Sequence, residues 1–180
     1  MSDELSELQE QAEHAKHDPT LAPVSLTMAA LAVFVAIASL LGHRAHTEEV
    51  VLQAKASDQW AHYQAKSIRK HADEQFLDAT AVQATTDASA LAKLRDKYSQ
   101  EASRYAGEQK ELEDAAKELE AEVAMERKRA DRFDLAEVFL EIGLVITSIT
   151  LLSGRKVYWG SGIVLAIVGN VVATTGYFVH

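Results

Sequence analysis

The chain has 180 residues, a formal net charge of −9 and a pI of about 5.2. This acidic balance excludes the basic face that nucleic-acid-binding proteins usually carry, so we expect no nucleic-acid partner. The absence of cysteine excludes disulfides, thiolate metal sites and thiol nucleophiles. The mean hydropathy of −0.10 is typical of a soluble protein, but charged residues are nearly absent from three stretches.

The first of these stretches follows an acidic amino-terminal tail. The tail, residues 1–23, contains Pro19 and Pro23, and its charged residues are all Asp or Glu except Lys16. The segment 24–42 has no charged residue, and at 1.5 Å per residue it is long enough to cross the roughly 30 Å hydrocarbon layer of a bilayer. Because a signal peptide needs a positively charged start, we interpret 24–42 as a retained transmembrane helix.

Two more apolar segments, 133–153 and 157–179, lie near the carboxyl end. Only the basic turn 154–156 separates them, so we expect an antiparallel pair of transmembrane helices. Aromatic residues typical of the membrane–water interface stand near both ends of the last segment. They are Tyr158, Trp159, Tyr177 and Phe178.

The intervening stretch, 43–132, is predicted to be helical because it is rich in Ala, Glu, Lys, Gln and Leu and has no proline. Its second half carries an apolar stripe whose steps alternate between three and four from Ala102 onward, which is the spacing of a coiled coil. The stripe comprises Leu91, Leu94, Tyr98, Ala102, Tyr105, Gln109, Leu112, Ala116, Leu119, Val123, Glu126, Ala130 and Phe133.

The first half of 43–132 has a weaker stripe of mostly small residues: Ala54, Ala61, Ala65, Ile68, Ala72, Phe76, Ala79 and Val82. Between the halves, N-cap residues at 85–87 indicate a turn and a new helix. We therefore predict an all-α protein with three transmembrane helices and a long antiparallel coiled-coil hairpin outside the membrane between helices 1 and 2. Each arm continues a membrane helix and extends about 65 Å at 1.5 Å per residue.

One charged residue lies deep inside an apolar segment. Glu141 is roughly 12 Å below the interface, where an ionisable group costs a few kcal/mol and usually faces the interior of a helix bundle. Asn170 lies at a similar depth in 157–179. We predict that Glu141 and Asn170 form an intramembrane polar pair, either as a structural contact between helices or as a step on an ion or proton path.

Small residues spaced four apart predict close helix packing within the apolar segments. They are Gly169 with Ala173 in the third segment, and Ala32 with Ala36 in the first.

A predicted interaction face lies on the first arm, off the Ala-rich stripe. It comprises Trp60, Tyr63, Gln64 and Lys66. Exposed aromatic rings there indicate a packing partner, most simply another copy of the chain. The alternative is that the rings cover the seam of the hairpin itself.

Three histidines, His43, His46 and His180, are expected at one membrane face. Such a group could bind a divalent metal or sense pH. Histidines at an interface are more often simple polar groups.

The run Ala56–Ile68, with the sequence ASDQWAHYQAKSI, resembles a hallmark of an uncharacterised bacterial membrane family, the domain of unknown function numbered 4337. The resemblance extends over most of the chain and includes Gly42-His43 and the basic pair Arg155-Lys156. It implies a multi-pass protein of the bacterial inner membrane. It supplies no established activity and no catalytic residues.

Charge counts conflict on which side of the membrane carries the hairpin. Arg and Lys flanking the apolar segments are more numerous on the hairpin side, which would place the hairpin in the cytoplasm. The short basic turn 154–156 is the segment least easily translocated, whereas long domains cross largely regardless of charge. We take a periplasmic hairpin as the expectation.

No motif indicates an enzyme or a cofactor, since a phosphate-binding glycine loop, an HExxH pair and a nucleophile elbow are all lacking. The leading hypothesis is a membrane scaffold or accessory subunit that self-associates or binds another membrane protein through its hairpin. The alternative is a small oligomeric channel or transport-related subunit with Glu141 and Asn170 on an interior path. A metal or pH sensor ranks third.

Overall fold

The computed structural model describes residues 21–81 and 87–178. These residues form three α-helices: α1, Ala22–Ala81; α2, Ala88–Ser153; and α3, Lys156–Tyr177. There is no strand in the two described ranges, which confirms the all-α class. The acidic tail up to residue 20, residues 85 and 86 of the expected turn, and His180 lie outside them.

All three helices are long and apolar enough to cross a membrane. Helices α1 and α2 have 60 and 66 residues, so each joins an apolar segment to a polar one without a break, as the sequence predicts. Pro23 is compatible with α1 because it lies in the first turn, where the N–H that proline lacks would have no hydrogen-bond partner within the helix. Asp87 caps α2, since its Oδ1 accepts a hydrogen bond from the Ala90 N–H at 3.0 Å.

The described residues divide into two compact units. Unit 1 contains residues 21–48 and 125–178, and therefore all three apolar segments; unit 2 contains residues 49–81 and 87–124. Each unit has its own packing.

In unit 1, the three helices share one apolar cluster. It consists of Leu31, Ala38, Leu140 and Ala166, with Val35 and Leu144 packed against it. One stripe of buried or half-buried positions of α1 recurs in steps of four and three; it consists of Val24, Met28, Leu31, Val35, Ala38, Gly42 and Ala45. Of the predicted packing pair, Ala32 is half-buried beside this stripe and Ala36 is exposed. Packing of this pair between copies of the chain stays a prediction.

Helices α2 and α3 approach closely through glycines. A Cβ atom at Gly169 would lie 2.9 Å from Leu140 Cγ and 3.0 Å from the Ala136 carbonyl oxygen. Gly169 is buried and Ala173 half-buried, so the small-residue face predicted on α3 is confirmed. The connection between the helices turns at Gly154, whose φ of +67° is a backbone conformation that glycine adopts readily.

In unit 2, the positions of the stripe predicted on α2 are buried or half-buried, including the polar Gln109, and Leu94 is the exception. The last three positions, Glu126, Ala130 and Phe133, belong to unit 1 and are also buried or half-buried. The stripe predicted on α1 is wrong. Its members Ala54, Ala61, Ala65, Ile68, Ala72 and Ala79 are exposed, Phe76 is half-buried, and Val82 lies outside the described residues.

The buried face of α1 in unit 2 is instead largely polar. It again follows steps of four and three, and comprises Leu52, Ala56, Gln59, Tyr63, Lys66, Lys70, Asp73, Leu77 and Thr80. Two of these polar side chains, Lys66 and Thr80, have partners on α2. Hydropathy alone selects the opposite, Ala-rich face, because it does not register such polar contacts.

The glycine contacts predict a selective effect of adding a methyl group to α3. A Cβ at Gly162 would overlap Thr147 Oγ1 and lie 2.7 Å from the Gly143 carbonyl oxygen, whereas a Cβ at Gly160 meets no atom within 4 Å. We expect Gly162→Ala to destabilise unit 1 by roughly 1–3 kcal/mol through overpacking. Gly160→Ala, the matched control, should leave it unchanged or slightly stabilised.

The measurement is the thermal unfolding midpoint of the full chain in a mild detergent, followed by far-UV circular dichroism. Equal midpoints for the two variants would contradict the close contact between α2 and α3.

Candidate functional site

Several side-chain contacts join the polar parts of α1 and α2 in unit 2, and four of them show the relative direction of the two helices. The later a residue lies along α1, the earlier its partner lies along α2. The contacts are Trp60 with Glu120, Lys66 with Glu108, Phe76 with Tyr98, and Thr80 with Arg95. This reverse order is what two helices running in opposite directions produce.

The contacts differ in kind along the two helices. Trp60 Nε1 donates to Glu120 Oε1 at 2.8 Å, and Arg95 Nε donates to Thr80 Oγ1 at 3.2 Å. The Phe76 and Tyr98 rings lie 4.4 Å apart between centroids. The contact surface therefore combines hydrogen bonds, an ion pair and an aromatic contact, and no single chemistry dominates it.

The most concentrated cluster surrounds Glu108. Lys66 donates to its Oε2, and Arg104 lies 3.5 Å from its Oε1. Both cations also lie over the ring of Tyr105, at 5.1 Å for Lys66 Nζ and 5.0 Å for Arg104 Cζ. The hydrogen bond from Lys66 lowers the pKa of Glu108, and burial opposes this to a smaller extent. The cluster is held by charge-assisted hydrogen bonds and by cation–π contacts.

Only part of the predicted interaction face is exposed. Trp60 and Tyr63 are half-buried and pack edge-to-face with centroids 5.5 Å apart. Trp60 and Lys66 contact α2, which is the alternative interpretation of this face, whereas Gln64 is exposed. Binding of a partner through these four residues stays a prediction.

Sequence reasoning missed two buried polar residues of α1. Gln59 Oε1 and Asp73 Oδ2 are buried and have no hydrogen-bond partner among the described residues. Neither stands out by hydropathy. The signal that could have identified them is their spacing, because each lies seven residues from Lys66.

In unit 1, the two residues of the predicted intramembrane pair lie in different surroundings. Glu141 is exposed on α2, beside the exposed Val138, Ile142 and Val145. Asn170 is half-buried, and its Nδ2 donates to the Ala166 carbonyl oxygen of its own helix at 2.9 Å. Their mutual contact stays a prediction.

The interfacial histidines make separate contacts. His46 Nε2 lies 2.9 Å from Asp134 Oδ2 and so joins α1 to α2, whereas His43 Nδ1 lies 3.2 Å from the Ser39 carbonyl oxygen. Within the part of the chain that the structure describes, no group of three or more His, Cys, Asp or Glu could hold a metal ion. Because His180 lies outside that part, a site that includes it stays a prediction.

A family model described as Domain of unknown function (DUF4337) matches residues 20–179. The chain belongs to this family. The match spans α1, α2 and α3 and confirms the resemblance drawn from residues 56–68. No curated protein and no solved structure matches the chain. The DUF4337 description assigns no activity, so the function must be inferred from the contacts themselves.

The Glu108 cluster predicts acid sensitivity in unit 2 of this DUF4337 protein. Because the folded chain holds the pKa of Glu108 below its ordinary value of 4.5, the unfolded chain takes up the proton first as pH falls. The contribution of Glu108 to stability is therefore present above pH 4.5 and is lost as pH falls through the folded pKa.

We expect hydrogen–deuterium exchange, corrected for intrinsic rates, to show protection around residues 60–75 and 100–112 falling below pH 4.5. Glu108→Gln should lower protection at pH 7 and flatten this dependence. Glu111→Gln, an exposed acid three residues away, is the control. The same pH dependence in all three proteins would rule out the Lys66–Glu108 contact as its cause.

Proposed function

We propose that this DUF4337 protein is a multi-pass membrane scaffold or accessory subunit of the bacterial inner membrane, with a periplasmic hairpin. In this proposal, the polar parts of α1 and α2 form an antiparallel coiled-coil hairpin that self-associates or binds another membrane protein. The supporting observation is the reverse order of the four contacts, from Trp60–Glu120 to Thr80–Arg95, on stripes with heptad-like spacing.

The composition of the seam supports a recognition role over a purely structural one. Polar residues at core positions of a coiled coil specify register and partner at a cost in stability. Asp73 and Gln109 are buried and Gln59 is half-buried at such positions, and two of the three, Gln59 and Asp73, have a buried oxygen without a hydrogen-bond partner among the described residues. Such a seam is selective but not maximally stable, which suits a surface that pairs with other chains.

The surface of α2 around Glu141 is the candidate contact within the membrane. Glu141 is exposed there beside Val138, Ile142 and Val145. Ionisable residues in membrane-spanning segments usually mark a contact with protein or a functional path. The three apolar neighbours would give a contact with a neighbouring chain an apolar rim.

The same observation favours a second candidate function. If several copies turned Glu141 toward a common centre, with Asn170 nearby, they would form an oligomeric channel or transport-related subunit. A pH sensor based on the His46–Asp134 contact is a third candidate, since it joins α1 to α2 through a titratable group.

The first test is the native particle extracted from membranes in mild detergent. We expect size-exclusion chromatography with light scattering to give a stable oligomer or a complex with a co-purifying membrane protein. A bare monomer at all concentrations would contradict the scaffold and the channel together.

Substitution of Glu141 separates scaffold from channel. For the scaffold, Glu141→Ala should weaken assembly, because a buried contact between subunits is lost, while the wild type gives no conductance in planar bilayers. The control, Glu137→Ala, changes an acid one turn away. A wild-type conductance that Glu141→Gln abolishes without altering assembly would instead establish the channel.

A further inference from the structure

All three helices of unit 1 meet where the apolar segment of α2 begins. A Cβ at Gly42 of α1 would lie 3.6 Å from Phe133 Cβ of α2. The Phe133 ring lies against Gly176 of α3, where a Cβ would be 3.2 Å from its Cζ, and it packs edge-to-face on Tyr177 with the centroids 5.8 Å apart. Phe133 is therefore enclosed between α1 and α3, and this packing places the next residue of α2.

That next residue, Asp134, lays its carboxylate on α1. Its Oδ1 is 2.9 Å from the position that a Cβ of Gly42 would take, which is closer than a real Cβ atom tolerates. Its Oδ2 is 2.9 Å from His46 Nε2, one turn farther along α1. The carboxylate can therefore occupy this place only because residue 42 has no side chain. The glycine and the histidine together define where it sits.

The charge of this contact depends on pH through the imidazole. An imidazole ordinarily titrates at about pH 6.5 and an aspartate carboxyl group at about pH 4. Between these values an imidazole and a carboxyl group in contact form an ion pair. The attraction is therefore present at mildly acidic pH and is lost as pH rises through the pKa of the imidazole. A neutral ring can still donate one hydrogen bond, so the contact weakens at higher pH and does not disappear.

The charged groups around the contact leave this titration to the imidazole. Those within about one turn are His43, Arg44, Glu48 and Glu49 on α1, Asp131, Arg132 and Glu137 on α2, and Tyr177 on α3. Of these side-chain types, only imidazole ordinarily changes charge between pH 5.5 and pH 8. The Nδ1 of His43 lies 3.2 Å from the Ser39 carbonyl oxygen of its own helix. His43 therefore offers a matched control for His46.

We propose that Gly42, His46 and Asp134 form a pH-dependent clamp between α1 and α2. This inference rests on the pH-sensor candidate of the proposed function and deepens it by giving the direction of the response. Acidification toward pH 6 tightens the clamp, and a rise above pH 7 loosens it. Gly42 is a positioning residue, because any side chain there would displace the carboxylate from His46.

The test is hydrogen–deuterium exchange of the full chain in mild detergent at pH 5.5 and pH 8, corrected for intrinsic rates. Because the pair is partly exposed, opening of residues 43–48 and 127–134 should be roughly two- to fivefold more frequent at pH 8. His46→Gln should remove this ratio, since an amide does not titrate but still donates. His43→Gln should keep the wild-type ratio.

Gly42→Ala tests the geometry without changing a titratable group. The atom nearest to the added methyl group is the end of the Asp134 side chain, which can rotate away, so the variant should fold and yet lose the pH ratio. A wild-type ratio in Gly42→Ala would contradict the positioning role.

Three further outcomes would overturn the clamp. They are equal opening of the wild type at both pH values, a wild-type ratio in His46→Gln, and loss of the ratio in His43→Gln. If Gly42→Ala does not fold, the two histidine variants decide. Light scattering on the same samples separates this test from that of the scaffold. A stable oligomer without the pH ratio refutes the clamp alone, whereas a bare monomer with the ratio refutes the scaffold alone.

Discussion

The buried positions of α1 recur every seven residues, and this spacing determines which side chains meet the other helices. In unit 1, Val24, Leu31, Ala38 and Ala45 hold these positions; in unit 2, Leu52, Gln59, Lys66, Asp73 and Thr80 continue the same count. A repeat of seven is shorter than two α-helical turns of 3.6 residues, so helices that keep it in contact wind around each other with a left-handed twist. The spacing stays constant while the chemistry changes from apolar to polar at the edge of the apolar segment.

That change of chemistry is the one expected of helices that pass from a membrane into water. In a membrane, apolar side chains gain little by leaving lipid, so helices associate through close packing, and Gly162, Gly169 and Leu140 provide such packing between α2 and α3. In water, a contact surface of long polar side chains buries less apolar surface and depends on specific partners such as Glu108 and Glu120. The first kind of contact is tight and unselective, whereas the second is looser and more selective. The scaffold proposed above would use the first to hold its apolar helices together and the second to choose a partner.

The sequence alone predicts the features for which helical periodicity and hydropathy point to the same residues. The three apolar helices, their continuity into polar helix and the stripe through Ala102, Tyr105 and Ala116 belong to this class. The prediction of the buried face of α1 in unit 2 failed because periodicity and hydropathy disagree there. The exposed Ala-rich face of α1 has almost the same residue spacing as the largely polar face that is buried. Within one chain, Ala36 is exposed because Leu31 and Val35 hold the stripe positions beside the predicted pair Ala32 and Ala36. For Glu141, a position well inside an apolar segment follows from the sequence, but the direction of its side chain does not, because that direction depends on where α3 packs.

The packing of α3 also limits what Glu141 can do. Helix α3 covers the small-residue face of α2, where Gly143 and Thr147 meet Gly162, and Glu141 is exposed beside that face. With α3 held in place by glycines at which an added methyl group would clash, Glu141 stays at the surface of unit 1 beside Val138, Ile142 and Val145. The packing of α3 therefore decides which polar side chain of this segment is exposed. The assembly proposed above uses that surface.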